Sequence, residues 1–241
     1  MQAIREQATT DAATARSQIP SKFVELTTFM ESMNADPSTL GAKFAVTPSD
    51  TAPVPMNADV ANALERTQSE LAGAISTFNA IELWIHLSLP SIEDGNNFGV
   101  GIMMEGAKMI AEAKKDLSEH MKGLPDYFKE RSAAAEKLSP KVSQSASEST
   151  STSSDKENKG GEETTTAKNG SSSSSKKDTS TSSVVPDAVA HLVAIDVNWY
   201  LKLHTTCNRI RNVYATVCDF LEKNEARITE PKGSGGRMSM Y

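Results

Sequence analysis

The feature that most constrains the fold is an apolar face that runs without interruption through residues 58–89. Its side chains recur every three or four residues, the spacing that places them on one face of an α-helix. At 1.5 Å per residue, a helix of this length would measure about 48 Å, which is typical of a long helical bundle. Asn57 stands just before it as a natural N-cap. The positions on this face are Val60, Leu64, Thr67, Leu71, Ala74, Phe78, Ile81, Ile85 and Leu89.

Three further segments carry the same spacing, so the sequence predicts an all-α fold, a four-helix bundle of long helices. They are residues 3–34, where Pro20 should kink or split the helix, residues 100–136, where Pro125 should bend or interrupt it, and residues 186–228. The expected apolar positions include Ile4, Ala8, Ala12, Ala15, Ile19, Phe23, Leu26, Met30 and Met33 in the first segment, Met103, Ala107, Ile110, Ala113, Leu117, Met121, Leu124 and Phe128 in the second, and Tyr200, Leu203, Cys207, Ile210, Tyr214, Val217 and Leu221 in the third.

The last helix has a second row of apolar residues beside the first. This wide apolar face predicts contact with more than one neighbour, as in a bundle that also oligomerises. The second row consists of Leu192, Ile195, Trp199, Val213 and Phe220.

Two connecting segments separate these helices. Residues 35–57 contain five prolines and glycines that forbid a continuous helix, and we expect a linker there. Residues 139–183 are rich in Ser and Thr with few apolar side chains, so they cannot bury enough surface to offset their ordering entropy, and we expect disorder. The expected organisation is 1–138 for the first three helices, the low-complexity insertion 139–183, 184–230 for the fourth helix, and a tail at 231–241.

The composition excludes several classes of function. A net charge of −6 and a pI near 5.3 argue against a basic surface for nucleic acid. No run of about 18 apolar residues predicts a membrane span, and the N-terminus has no apolar signal core, so we expect an intracellular protein. Cys207 and Cys218 would share one helix face about 16 Å apart, too far for a disulfide, and we expect both to be small buried hydrophobes.

The patterns of a catalytic or metal site are missing from the sequence. It contains no Cys-x-x-Cys and no His-Glu-x-x-His, and none of its four histidines follows a Glu by three residues, as a di-iron bundle would require. Gly101–Lys108 superficially matches a phosphate-binding loop but lacks the Lys-Ser/Thr ending and a preceding strand. We therefore expect no enzyme, no cofactor and no metal.

Between the second and third predicted helices lies a polar, turn-forming stretch, LPSIEDGNNFGV, from Leu89 to Val100. Pro90 should end the preceding helix. The following glycine and asparagines tolerate a positive φ at low cost, so a tight backbone path is available, and Asn96 or Asn97 could cap the next helix. An ordinary helix-to-helix turn is the alternative that the residues alone leave open.

This stretch closely resembles the activation loop of the 11S (REG) family of proteasome activators. The matching residues are Trp84-Ile85-His86-Leu87, Pro90, Ile92-Glu93-Asp94-Gly95-Asn96 and Phe98-Gly99-Val100. IPSKFVELTTFMES and AVTPSDTAPVP resemble the end of the family's first helix and the proline-rich stretch after it. Leu221-Glu222-Lys223, Pro231-Lys232-Gly233 and Ser239-Met240-Tyr241 resemble its carboxy-terminal segment.

The resemblance implies a heptameric ring that caps the core (20S) proteasome without ATP, in the cytoplasm, the nucleus or both. The ring would be a homo-heptamer, or a hetero-heptamer with a paralogue. Its partners would be the core's outer-ring subunits, with no nucleic acid and no membrane. The alternative is a helical scaffold that self-associates and has no role at the proteasome.

The family also implies two sets of site residues. An activation loop within 90–100 would press on the gate, with Asn96 as the main contact and Gly95 permitting the turn. A tail would dock in pockets of the core through the Tyr241 carboxylate and the backbone of the two preceding residues. The sets are Ile92, Glu93, Asp94, Gly95, Asn96, Asn97, Phe98 and Gly99 for the loop, and Ser239, Met240 and Tyr241 for the tail.

Overall fold

A computed structural model describes residues 1–49, 52–90, 98–138 and 185–231, with only the backbone of Phe98. Within these ranges the chain is all-helical, as predicted, and holds no strand. The helices are α1 (Gln2–Met33), α2 (Pro37–Lys43), α3 (Ala58–Ser88), α4 (Phe98–Lys122), α5 (Asp126–Glu136) and α6 (Pro186–Thr229). The four long helices pack as a bundle, with α3 and α6 each contacting α1, α4 and one another.

The apolar face of α3 forms the centre of this bundle, as its spacing predicts. Every predicted position from Val60 to Ile85 is buried, and the last one, Leu89, is half-buried against the same core. The side chain of Asn57 caps the helix by accepting a hydrogen bond from the backbone N–H of Val60 at 3.3 Å. On α6 the main row from Tyr200 to Leu221 is also fully buried. Local periodicity therefore identified most of the core correctly.

Three predicted core positions are wrong. Ile4 is 54% exposed because it lies in the first turn of α1, one turn before Ala8, the first buried residue of that helix. Phe23 is 37% exposed at the edge of the α1 face, where the Arg211 guanidinium lies 5.5 Å from its ring centroid. Phe128 is 46% exposed because the chain restarts as α5, which buries Tyr127 in its place.

The two prolines predicted to disturb helices act differently. Pro20 does not split α1, which continues from Gln2 to Met33, and its ring lies on the exposed side of the helix. Pro125 does interrupt the predicted third helix, which ends at Lys122 and resumes at Asp126. The continuity of α1 follows from packing, because the buried residues on both sides of Pro20 hold one continuous helix in place.

The predicted linker at 35–57 contains the short helix α2, which the sequence reasoning missed. Pro37 occupies the first turn, where its missing N–H costs nothing, and the side chain of Asp36 accepts a hydrogen bond from the Ser38 N–H at 2.9 Å. Leu40 anchors the helix with a fully buried side chain. A proline at the start of a helix favours it, so this segment was misread as wholly irregular.

The two cysteines are free and lie in different environments. Cys207 is buried, as predicted, and its Sγ lies 3.3 Å from the Thr67 hydroxyl. Cys218 is only half-buried, contrary to the prediction, and contacts the Glu222 carboxylate at 3.4 Å. Loss of solvent raises the pKa of both thiols.

None of the helices in the described ranges combines the length and the apolar character needed to cross a membrane.

Candidate functional site

The candidate site lies at the end of the bundle where α3 ends, α4 begins and α6 ends, which we call the loop end. The first half of α1 reaches the same end. Arg16 of α1 donates to the Glu225 carboxylate of α6 at 2.8 Å, and its guanidinium carbon lies 5.5 Å from the Trp84 ring centroid of α3. Gly99 of α4 lies against Pro231, just beyond α6. The exit side of the predicted activation loop therefore contacts the start of the tail, and the entry side is linked to the end of α6 through Arg16.

Most of the predicted site residues lie outside the described residues. These are Ile92, Glu93, Asp94, Gly95, Asn96 and Asn97 of the loop, and Ser239, Met240 and Tyr241 of the tail. The suggested N-cap at Asn96 or Asn97 falls there as well. Their assigned contacts remain predictions, and the structure describes only the elements from which these two segments leave.

The entry side of the loop is well anchored. The prediction that Pro90 ends the preceding helix is confirmed, because α3 stops at Ser88. Trp84 and Ile85 are buried one turn earlier. A cavity of about 430 Å³ lies beside this side, between the start of α1 and the end of α3. Its lining residues are Arg5, Thr9, Trp84, Leu87, Ser88, Leu89 and Pro90.

The exit side of the loop begins in helix. Phe98 and Gly99, predicted as loop residues, form the first turn of α4. Gly99 is buried, and a Cβ added to it would lie 2.8 Å from both the Cα and the carbonyl carbon of Pro231, closer than side chains tolerate. Only glycine therefore fits at this position without moving the backbone of either segment.

The last turn of α6 is anchored where the chain continues toward the tail. Ile228 is buried in the main core, and the N–H of Glu230 donates to the Ala226 carbonyl at 3.0 Å. Pro231 follows directly, with its φ fixed by the pyrrolidine ring. The point from which the tail leaves is consequently tied to the core through α6 and to α4 through Gly99.

Sequence reasoning missed a buried polar cluster at the opposite end of the bundle, centred on Asp196 of α6. Its Oδ1 accepts from the Tyr127 hydroxyl at 3.0 Å and from Arg131 Nε at 2.9 Å, and its Oδ2 accepts from Asn57 Nδ2 at 3.0 Å. Arg131 also donates to the Pro55 carbonyl at 2.9 Å. The cluster joins α5, α6 and the start of α3.

The electrostatics of this cluster favour one protonation state. Burial and the nearby Asp196 carboxylate both raise the pKa of Tyr127, so its phenol stays protonated and donates. The available signal was a charged residue, Asp196, among the apolar positions Leu192, Trp199 and Tyr200 of α6. A lone charge on a buried helix face requires a partner, and that requirement could have identified the cluster.

In the described ranges, no group of three or more His, Cys, Asp or Glu side chains is arranged so that it could hold a metal ion.

Comparison of the fold first defines the class of protein. The chain has the fold of an 11S activator subunit: it matches the 11S subunit of the Plasmodium falciparum proteasome, PA28, with a TM-score of 0.64 and 22% identity over 96% of this chain and 92% of that one. It also matches a chain in the crystal structure of an archaeal 20S proteasome in complex with a mutated P26 activator. The TM-score is 0.65 and the identity 14%, over 100% of this chain and 97% of that chain.

The sequence then identifies the family. The family model described as "Proteasome activator PA28, C-terminal" matches residues 53–148 and 172–238, so the chain belongs to this family, as predicted. Proteasome activator complex subunit 3 of Homo sapiens is 22% identical over 178 residues, which cover 74% of this chain and 54% of that protein. The Gallus gallus subunit 3 gives the same values. The chain spans about half the length of the curated relatives it matches.

Proposed function

We propose that this protein is an ATP-independent activator of the core (20S) proteasome and acts as a regulator, with no peptidase activity of its own. One observation carries the proposal beyond family membership. Both flanks of the predicted loop and the start of the predicted tail lie at the same end of the bundle, with Gly99 packed against Pro231. A protein that docks by its tail and opens a gate with its loop needs both at one surface.

Docking is proposed to use the carboxy-terminal tail. The Tyr241 carboxylate and the backbone of Ser239 and Met240 would bind pockets between outer-ring subunits of the core. A terminal carboxylate held by a cationic side chain is a charge-assisted contact worth about 1–3 kcal/mol. One tail alone therefore binds weakly, whereas several tails on one ring gain affinity through their effective concentration.

Gate opening is proposed to use the loop. Glu93, Asp94 and Asn96 would contact a turn in each outer-ring subunit, with Asn96 making the main contact and Gly95 permitting the backbone turn. The loop would bind the open gate better than the closed gate, so docking would shift the population toward the open state. Docking and activation should therefore be separable by mutation.

Multivalent docking requires several copies of the chain in one ring. We propose that this ring is a homo-heptamer, or a hetero-heptamer with a paralogue. Its proposed location is the cytoplasm, the nucleus or both. Large apolar side chains remain exposed on three of the long helices and support association between subunits. Examples are Phe23 and Val24 of α1, Leu83 of α3 and Met104 of α4. Solved structures with this fold include complexes of an activator with archaeal 20S proteasomes.

The deciding experiment is hydrolysis of small fluorogenic peptides by purified core proteasome without ATP, with the intact protein, the Asn96→Tyr variant or a chain lacking Tyr241. We expect stimulation by the intact protein. Asn96→Tyr should still bind the core in co-sedimentation but stimulate little, and the truncated chain should do neither. No stimulation by an intact ring of confirmed mass, with proteasome from the same source, would favour the self-associating scaffold.

A further inference from the structure

We propose that Gly99 and Pro231 form a mechanical joint between loop and tail, so that docking of the tail sets the position of the loop's exit side. This inference rests on the proposed function and deepens it, because it assigns a positioning role to two residues that need not touch the proteasome. The joint is defined by the contact between the α4 backbone at Gly99 and the Pro231 backbone.

The contact is rigid because it is made between backbones. A flexible side chain could rotate away from a displaced neighbour, but the Pro231 carbonyl carbon and Cα cannot move without moving the chain. On the α6 side, buried Ile228 holds the preceding turn in the core. On the α4 side, Met103 is fully buried one turn after Gly99. Neither partner can therefore shift alone at low cost.

The close approach continues along α4. Gly99, Met103 and Gly106 lie on one helix face at spacings of four and three residues. A Cβ added to Gly106 would meet the Phe220 ring of α6, with ring atoms at 2.5 and 2.9 Å. The two glycines thus let α4 approach α6 and the residue just beyond it over two turns of α4, with the Gly99–Pro231 contact at the end nearest the loop.

The entry side of the loop has a second, softer link to α6. The Arg16 guanidinium forms an ion pair with the Glu225 carboxylate, which is largely exposed, and also lies over the Trp84 ring. Long polar side chains can adjust to small displacements, whereas the Gly99–Pro231 contact cannot. If docking of the tail displaces Pro231, the exit side of the loop should therefore move more than the entry side. Because coupling is reciprocal, a displacement of the exit side should also displace the start of the tail.

A matched pair of variants tests the joint. Gly99→Ala places a methyl group against the Pro231 backbone, while Gly101→Ala, two residues later in α4, adds the same methyl where nothing lies within 4 Å. Both variants gain similar helix propensity, so the difference between their measured effects reports on the Gly99–Pro231 contact. We would measure amide hydrogen exchange in residues 226–230, affinity for purified core proteasome, and peptide hydrolysis at saturating activator.

For Gly99→Ala we expect amide hydrogen exchange in residues 226–230 to rise roughly tenfold over the wild type, with maximal stimulation reduced severalfold. Gly101→Ala should match the wild type in all three measurements. If Gly99→Ala does not fold, Pro231→Gly serves as the second variant. It removes the restriction on φ at residue 231 without adding atoms, and it should lower maximal stimulation in the same way.

Two results would overturn the inference while leaving the proposed function intact. One is equal behaviour of Gly99→Ala and Gly101→Ala in every measurement. The other is faster exchange in Gly99→Ala with wild-type affinity and stimulation, which would make the contact a packing feature only. Absence of stimulation by the wild-type ring would instead overturn the proposed function, and the coupling with it.

Discussion

Arg131 and Asp196, 65 residues apart in the chain, form an ion pair with 2.9 Å between Nε and Oδ1, and both side chains are almost completely buried. The pair lies at the end of the bundle opposite the loop end. Buried ion pairs are costly to break because the remaining charge is left without solvent. This relationship makes the cluster a strong test of the fold that is independent of proteasome binding.

Asp196→Asn should destabilise the protein strongly. The change leaves the Arg131 guanidinium buried without its counter-charge, and we expect a loss of about 3–5 kcal/mol in the free energy of unfolding. Denaturant titration followed by circular dichroism measures it. Asp219→Asn is the matched control on the same helix, since its partner Lys223 is exposed, and it should cost less than about 1 kcal/mol. Equal losses in the two variants would contradict the burial described here.

Tyr127→Phe should cost less than Asp196→Asn. It removes one hydrogen bond to a carboxylate but leaves the ion pair with Arg131 in place, so we expect a loss of about 1.5–3 kcal/mol. The same denaturant titration applies. Replacing the two residues together should give less than the sum of the two separate losses, because they belong to one network. Strict additivity would show that the phenol and the carboxylate act independently.

Stability should decline at alkaline pH, partly through Tyr214. Burial raises the pKa of this phenol to about 12, above its ordinary value near 10. Between these values the unfolded chain loses the proton while the folded chain keeps it, so the free energy of unfolding falls as the pH rises. The expected contribution is a slope of up to about 1.4 kcal/mol per pH unit from this residue. Unfolding measured between pH 9 and 12 would show a shallower slope in Tyr214→Phe; an identical slope would refute this assignment.

Two glycines on different helices should respond in opposite directions to alanine. Gly73 of α3 is exposed with nothing within 4 Å of an added Cβ, so Gly73→Ala should stabilise by about 0.5–1 kcal/mol through helix propensity. Gly106→Ala must displace the Phe220 ring, and we expect a destabilisation of about 1–3 kcal/mol. Thermal unfolding measures both, and a stabilised Gly106→Ala would show that the ring moves aside freely.

Much of the fold was predictable because helical periodicity is a local property of the sequence. The α3 face, the Asn57 cap and the interruption at Pro125 are each decided by residues within one or two turns of one another. The errors at Phe23 and Phe128 occurred where the burial of a side chain depends on a neighbouring helix or on a change in chain direction. The short helix α2 was missed because several prolines obscured one favourable N-terminal proline.

Residue patterns were enough to predict the all-α class, the extent of the long helices, most of the core and the likeness to the activator family. Which distant residues meet depends instead on how the helices pack. Arg16 and Glu225 pair across 209 residues, and Arg131 and Asp196 meet through the packing of α5 on α6. The contact of Gly99 with Pro231 likewise depends on where α4 and α6 end in space. The reason is physical: helix-forming tendencies act within a few residues, whereas such contacts are fixed by the simultaneous packing of all the helices.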